Sequence, residues 1–250
     1  MRTRPIARVL VLGAVGLLAC MAPSERPGAP RSTLVIGVDV SGSFRREYDD
    51  AIDFAAHYLY GHLNGLGDLS VPSAVFVGSV GGERPGETKS FQPIHSFQGK
   101  SVEELAAYLR ELFPAEDAYT DFNAFFDRVA THVKRRNLTL APLNVVIFSD
   151  GVPDMSRGAS VEDPYGAIDL NTLEYLSRSV TVRLLYPTPS VAQDWERRVP
   201  RRRVRMWTVD APVMHGWREQ LITGVPAEEQ ENLWRWVDDN VDFRVRSRIL

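Results

Sequence analysis

The chain predicts a three-layer α/β fold, a doubly wound and mostly parallel sheet with one short antiparallel edge strand, and three observations carry that expectation. Apolar strand-like runs recur at 33–40, 73–80, 143–149, 180–186 and 204–209, separated by helically patterned stretches at 47–62, 102–113, 122–135, 171–177 and 226–239. Strands joined by helix-length crossovers pair in parallel and are covered on both faces. Two of the runs also end on a carboxylate, Asp39 and Asp150, at the strand end where open α/β sheets hold ligands.

Taken in order, the first run, Leu34-Val-Ile-Gly-Val, leads straight into a tight polar turn, and the pattern at 47–62 follows as the first crossover helix. The second run closes on Gly81-Gly-Glu-Arg-Pro-Gly86, too few residues for a helix before the next run at 88–95. Those two runs are therefore expected to pair antiparallel. Thr120-Asp121 opens the helical pattern at 122–135, and Asp150-Gly151 closes the buried run at 143–149. An arginine-rich connector at 197–205 leads into the last strand, and the helical pattern at 226–239 carries Trp234 and Trp236, which cannot both face inward on one helix. One folded domain over 32–250 accommodates all of this, with no internal repeat.

The turn after the first run, Asp39-Val40-Ser41-Gly42-Ser43, sets a carboxylate and two hydroxyls side by side. Mg²⁺ demands near-octahedral oxygen coordination and keeps waters, so such a set is a partial shell that other loops must complete. Thr120 and Asp150 stand where completing loops belong. Each piece also has an ordinary reading: Ser43, Thr120 or Asp121 as helix N-caps, and Asp150-Gly151 as a turn. Caps and turns do not account for a carboxylate at the end of two apolar strands with a hydroxyl pair beside one of them.

Asp39-x-Ser41-x-Ser43, Thr120 at a helix start and a strand ending Ser149-Asp150-Gly151 together resemble the metal-ion-dependent adhesion site of von Willebrand factor type A domains. The resemblance implies that Ser41 and Ser43 ligate Mg²⁺ (or Mn²⁺) directly, that Thr120 does so directly or through water, and that Asp39 and Asp150 act largely through water. It also implies a short antiparallel edge strand in third place, and recognition of a Glu or Asp of a partner protein without covalent chemistry.

Residues 1–19 read as an export signal, with Arg2, Arg4 and Arg8 before an apolar stretch at 9–18 that is too short to span a bilayer. Leu17-Leu18-Ala19-Cys20 resembles the bacterial lipobox, in which the cysteine is acylated; Cys20 is the single cysteine of the chain. Met21 after it, rather than aspartate, points to the outer membrane by the enterobacterial sorting pattern. Residues 20–31, with Pro23, Pro27 and Pro30, form a tether that would reach on the order of 30 Å in polyproline geometry. The expectation is a lipid-anchored protein of the bacterial cell envelope.

Removing 1–19 takes away three arginines, so the formal charge moves from -3 to -3 - 3 = -6, which does not favour bulk polyanion or nucleic-acid binding. The basic stretch at 197–205 is read as a solvated connector whose charges favour the helix C-terminus, with a headgroup- or lipopolysaccharide-binding patch as the alternative. His57 and His62 sit five apart, off the spacing that aims two imidazoles at one metal, and are assigned to ordinary packing or surface roles. The alternative to a binding module is a Mg²⁺-dependent phosphohydrolase of the haloacid-dehalogenase type. That chemistry uses Asp-x-Asp, and Ser41 stands in the second position, where it cannot act as a proton donor near neutral pH. The expectation is accordingly not an enzyme.

Overall fold

The computed structural model describes residues 32–82, 90–116, 119–154, 162–177 and 179–242. The segments expected to be signal and tether, Cys20 among them, lie outside the described residues, as do residues 83–89, which include most of the glycine-rich connector. In chain order the elements are β1 (Thr33–Val38), α1 (Arg45–Asn64), β2 (Ala74–Ser79), β3 (Gly81–Gly82), β4 (Gln92–Pro93), α2 (Val102–Leu112), β5 (Tyr119–Thr120), α3 (Phe122–Arg135) and β6 (Leu143–Phe148). There follow α4 (Asn171–Glu174), β7 (Val180–Leu185), α5 (Pro189–Arg198), β8 (Val204–Val209), α6 (Ala211–Met214) and α7 (Glu231–Asn240), with short 3₁₀ turns between some of them.

Six strands form the main sheet in the order β4-β2-β1-β6-β7-β8. All of its pairings are parallel except β4 on β2, the short antiparallel edge strand that the glycine-rich connector implied. Because side chains alternate across a strand, Leu34, Ile36 and Val38 of β1 face a core layer built with α1, α2 and α7, while Val35 faces the layer of α3, α4 and α5. Buried on both faces, the central strands are mostly apolar, broken by Asn144 in β6 and by Thr181 and Arg183 in β7.

Local chemistry starts and stops the helices. Ser101 and Glu104 make a reciprocal capping box on α2, the serine hydroxyl accepting from the Glu104 N–H at 3.2 Å and the glutamate accepting from the Ser101 N–H at 2.8 Å. Helix α1 ends where Gly65 turns left-handed. Thr188 caps α5, with Pro189 in its first turn.

Some expectations shift. The pattern at 171–177 forms only the single turn α4, because Leu173 and Leu176 pack inward while Tyr175 points into solvent. Helix α5, absent from the elements expected from periodicity, fills the interval before β8 and buries Trp195. The pattern at 226–239 begins with a 3₁₀ turn, and Gln230 separates it from α7 by bonding the backbone of Ile222 and Val225. Trp234 is buried, and Trp236 is partly buried, its ring edge-on to Phe54 with centroids 5.9 Å apart. The histidines pack: Nδ1 of His57 meets the Asp53 carbonyl, Nδ1 of His62 meets that of Ser70, and burial holds both imidazoles below their usual pKa.

Candidate metal centre

The C-terminal edge of the sheet carries the candidate centre, and Asp39 is its hub. As the first residue past β1, Asp39 is completely buried, its backbone N–H donating to the Phe148 carbonyl of β6 at 2.8 Å. Its side chain is bonded from three loops. The Ser41 N–H donates to Oδ1 at 2.9 Å, the Thr120 hydroxyl approaches the same oxygen at 3.5 Å, and the Ser149 hydroxyl donates to Oδ2 at 2.5 Å. Ser41 and Ser43 hold their hydroxyl oxygens 3.2 Å apart. Asp39, Ser41, Ser43 and Thr120 are thus joined by hydrogen bonds into one group, and Asp150 is close enough for its charge to act on Asp39.

The ordinary readings of these residues separate cleanly. Asp121 is the N-cap of α3, its carboxylate accepting from the Ala124 N–H at 2.9 Å, which leaves the neighbouring Thr120 hydroxyl for Asp39. Helix α1 has Phe44 at its N-cap with no side-chain bond, so Ser43 caps nothing. Asp150 does make a turn, taking the Val152 N–H at 3.0 Å on one oxygen.

Residues outside the five expected ligands turn out to build the site. Ser149 bridges Asp39 and the Gly151 N–H, its hydroxyl donating to one and accepting from the other; the Ser149-Asp150-Gly151 tripeptide was the available signal. Gly81 pairs with Thr120 in an antiparallel two-strand ladder separate from the main sheet. A Cβ on Gly81 would lie 2.0 Å from the Tyr119 carbonyl oxygen, so only glycine permits the approach that brings Thr120 to Asp39. Trp195 of α5 donates its indole N–H to the Gly151 carbonyl at 2.7 Å, and Gly151 itself is left-handed at φ 74. Neither Gly81 nor Trp195 carries a signal in its own neighbourhood, because both act across long sequence separations. The Asp154 N–H to the Thr120 carbonyl, at 3.1 Å, ties the third loop to the second.

Burial pushes the Asp39 carboxyl up to about 6, with the negative charge of Asp150 adding to it and the bonds from Ser149 and Ser41 opposing it. No ion pair neutralises Asp39 among the described residues. A buried carboxylate served only by neutral donors, beside a hydroxyl pair and a second carboxylate, is an all-oxygen set that fits a hard divalent cation. Among the described residues no group of three or more His, Cys, Asp or Glu side chains could hold a metal ion, so the candidate set rests on hydroxyls and two carboxylates. As a donor set its chemistry fits a hard cation.

No protein-family model matches the chain, and no curated protein does. Solved structures similar to it include the VWA domain of SpRpn10, at 9% identity and a TM-score of 0.45, with 80% of this chain and 93% of that one covered. Proximal thread matrix protein 1 from the mussel byssus is similar at 11% identity and a TM-score of 0.45, over 84% of this chain and 48% of that one. The pilus adhesin SpaC from Lactobacillus rhamnosus GG is similar at 16% identity and a TM-score of 0.34, over 50% of this chain and 15% of its own length. The chain thus spans a small part of the adhesin and about half of the byssus protein.

Proposed function

We propose that the chain is a Mg²⁺- or Mn²⁺-dependent protein-binding module that recognises a Glu or Asp of a partner protein, held at the bacterial envelope by a lipid on Cys20. The observation that supports the metal site is the fully buried Asp39, bonded from three loops by neutral donors alone. In the proposed site Ser41 and Ser43 offer the hydroxyls, Thr120 a third, and Asp39 and Asp150 the charge. A divalent cation supplies there a positive charge that two carboxylates and neutral hydroxyls leave incompletely compensated, which favours an anionic oxygen from outside. Ser41 in place of a second acid argues against phosphoester hydrolysis at the same turn.

Calorimetry on the full chain should detect divalent binding that Asp39→Ala removes, and absence of binding would sink the site. Capture from envelope extract should retain a protein that a chelator releases. Thr120→Ala should weaken capture, and replacing one acid of the captured protein with Ala should reproduce the chelator's effect. Capture indifferent to chelation, together with Mg²⁺-dependent turnover of a phosphate ester lost in Asp39→Asn, would replace the binding module with an enzyme. For the anchor, a fatty-acid analogue should label the mature chain and fail to label Cys20→Ser; label retained in that variant would refute the lipid.

A further inference from the structure

The opposite edge of the sheet, where the parallel strands begin, carries a second surface that the metal site does not explain. Its loops are bonded to one another along the whole edge. The Ser73 N–H donates to the Ser32 carbonyl at 2.9 Å, the Thr33 N–H to Pro142 at 2.8 Å, and the Ser177 hydroxyl to the neighbouring Ala141 carbonyl at 2.5 Å. Buried Glu174 accepts from the backbone N–H groups of Arg202 and Arg203 at 2.5 and 2.8 Å, which joins the last loop to the others.

Two features coincide on the α3–α5 side of this edge. The first is unpaired positive charge. Lys134, Arg135 and Arg136 end α3, and Arg202 and Arg203 precede β8; all are exposed, and none forms an ion pair among the described residues. Glu174 leaves these guanidinium groups free, because the backbone occupies its oxygens. Arg201, by contrast, is used: its guanidinium bonds the carbonyls of Trp195, Glu196 and Val199 at the end of α5. The connector expected at 197–205 is therefore part cap and part patch. The second feature is protruding apolar surface. Leu140 is 80% exposed and Tyr175 74% exposed, the latter with Arg203 5.4 Å over its ring. Apart from buried Glu174, the acids of the edge among the described residues, Asp68 and Asp242, lie on the α1 side, where Asp242 takes the Tyr58 hydroxyl.

We propose that this edge docks on an anionic phospholipid surface, with Lys134, Arg135, Arg136, Arg202 and Arg203 at the headgroups and Leu140 and Tyr175 entering the interface. Cations surrounding projecting apolar side chains suit a lipid surface, which accepts both; a nucleic-acid backbone has no place for Leu140. Ser32, the first described residue, lies at this edge as well. Docking here would leave the metal edge turned away from the membrane. The surface depends neither on the metal site nor on the lipid on Cys20.

The test uses the full chain carrying Cys20→Ser, in chelator, partitioned onto vesicles of neutral phosphatidylcholine or of phosphatidylcholine with phosphatidylglycerol at physiological salt. The reading is the ratio of the two partition constants compared between wild type and variant, a comparison in which the segment at 1–19, with Arg2, Arg4 and Arg8, cancels. The ratio should exceed unity and fall with salt. Arg135→Ala with Arg136→Ala should reduce it about 25-fold, at roughly five-fold per charge. Leu140→Ser with Tyr175→Ser should weaken binding to the anionic vesicles while leaving its salt dependence. Circular dichroism checks that the variants fold, and Arg202→Ala, on a different loop, provides an independent reading of about five-fold. A ratio near unity, a ratio unchanged in the arginine variants, or binding to a duplex oligonucleotide without preference for anionic vesicles would overturn the assignment.

Discussion

Replacing Asp39 with asparagine separates what this residue does for the fold from what it does for a cation. In the absence of metal its carboxyl is raised from 3.8 to about 6 by burial. An acid whose folded pKa lies above its unfolded value weakens the fold when ionised: the penalty is full above about pH 6 and vanishes below about pH 4. Two units correspond to about 3 kcal/mol at neutral pH, with no solvent discount because the group is completely buried. Asparagine keeps the shape and removes the charge, but it weakens the charge-assisted bond from Ser149 by about 1 kcal/mol. In chelator near neutral pH the variant should therefore be about 1–2 kcal/mol more stable than wild type, a rise in Tm of roughly 3–6 °C for a domain of this size. Divalent cation should reverse the order: at a hundred times Kd wild type gains about 2.7 kcal/mol and the variant nothing. Differential scanning calorimetry with and without millimolar Mg²⁺ reads both. A variant less stable than wild type in chelator, or one that keeps the Mg²⁺ shift, would refute the reasoning.

Other residues give sharper readings of position. Gly81→Ala should leave circular dichroism unchanged yet lower Mg²⁺ affinity about ten-fold or more, since the new methyl displaces the Tyr119–Thr120 strand; unchanged affinity by titration calorimetry would contradict it. Trp195→Phe leaves the Gly151 carbonyl without its buried donor and should cost about 1–2 kcal/mol in urea unfolding, as a lower midpoint at unchanged slope. Burial acts to raise the Asp53 carboxyl, but the bonds from Arg218 and Arg110 prevail and hold it below its usual range. Its contribution is present above the unfolded value and lost as pH falls through the folded one, so Arg218→Met should flatten the loss of stability in acid; an unchanged acid limb would count against the ion pairs.

The sheet was readable because its strands are buried on both faces, and uninterrupted apolar runs such as 34–38 and 145–148 admit little else. The antiparallel edge strand followed from arithmetic, a connector too short for a crossover. The ligand candidates were readable because they sit beside strand ends in the chain itself. What escaped depends on contacts between distant residues. Ser149 read only as the end of a strand, with nothing to show that its hydroxyl reaches Asp39, and α5 has polar exposed faces with one buried residue, Trp195, too little to impose a period. Gly81 read as the start of a loop, since nothing near it announces the strand Tyr119–Thr120.

That last pairing bears on how the protein could be re-engineered. Gly81 and Thr120 close an excursion that contains the edge strand and α2, and the ladder at its neck fixes where the excursion begins and ends. Closing a loop costs only about 0.6 kcal/mol more for each doubling of its length. Extra residues grafted into the excursion away from β4 and α2 would therefore leave the Thr120 hydroxyl where it is, while the same graft between Val80 and Gly81 would move it.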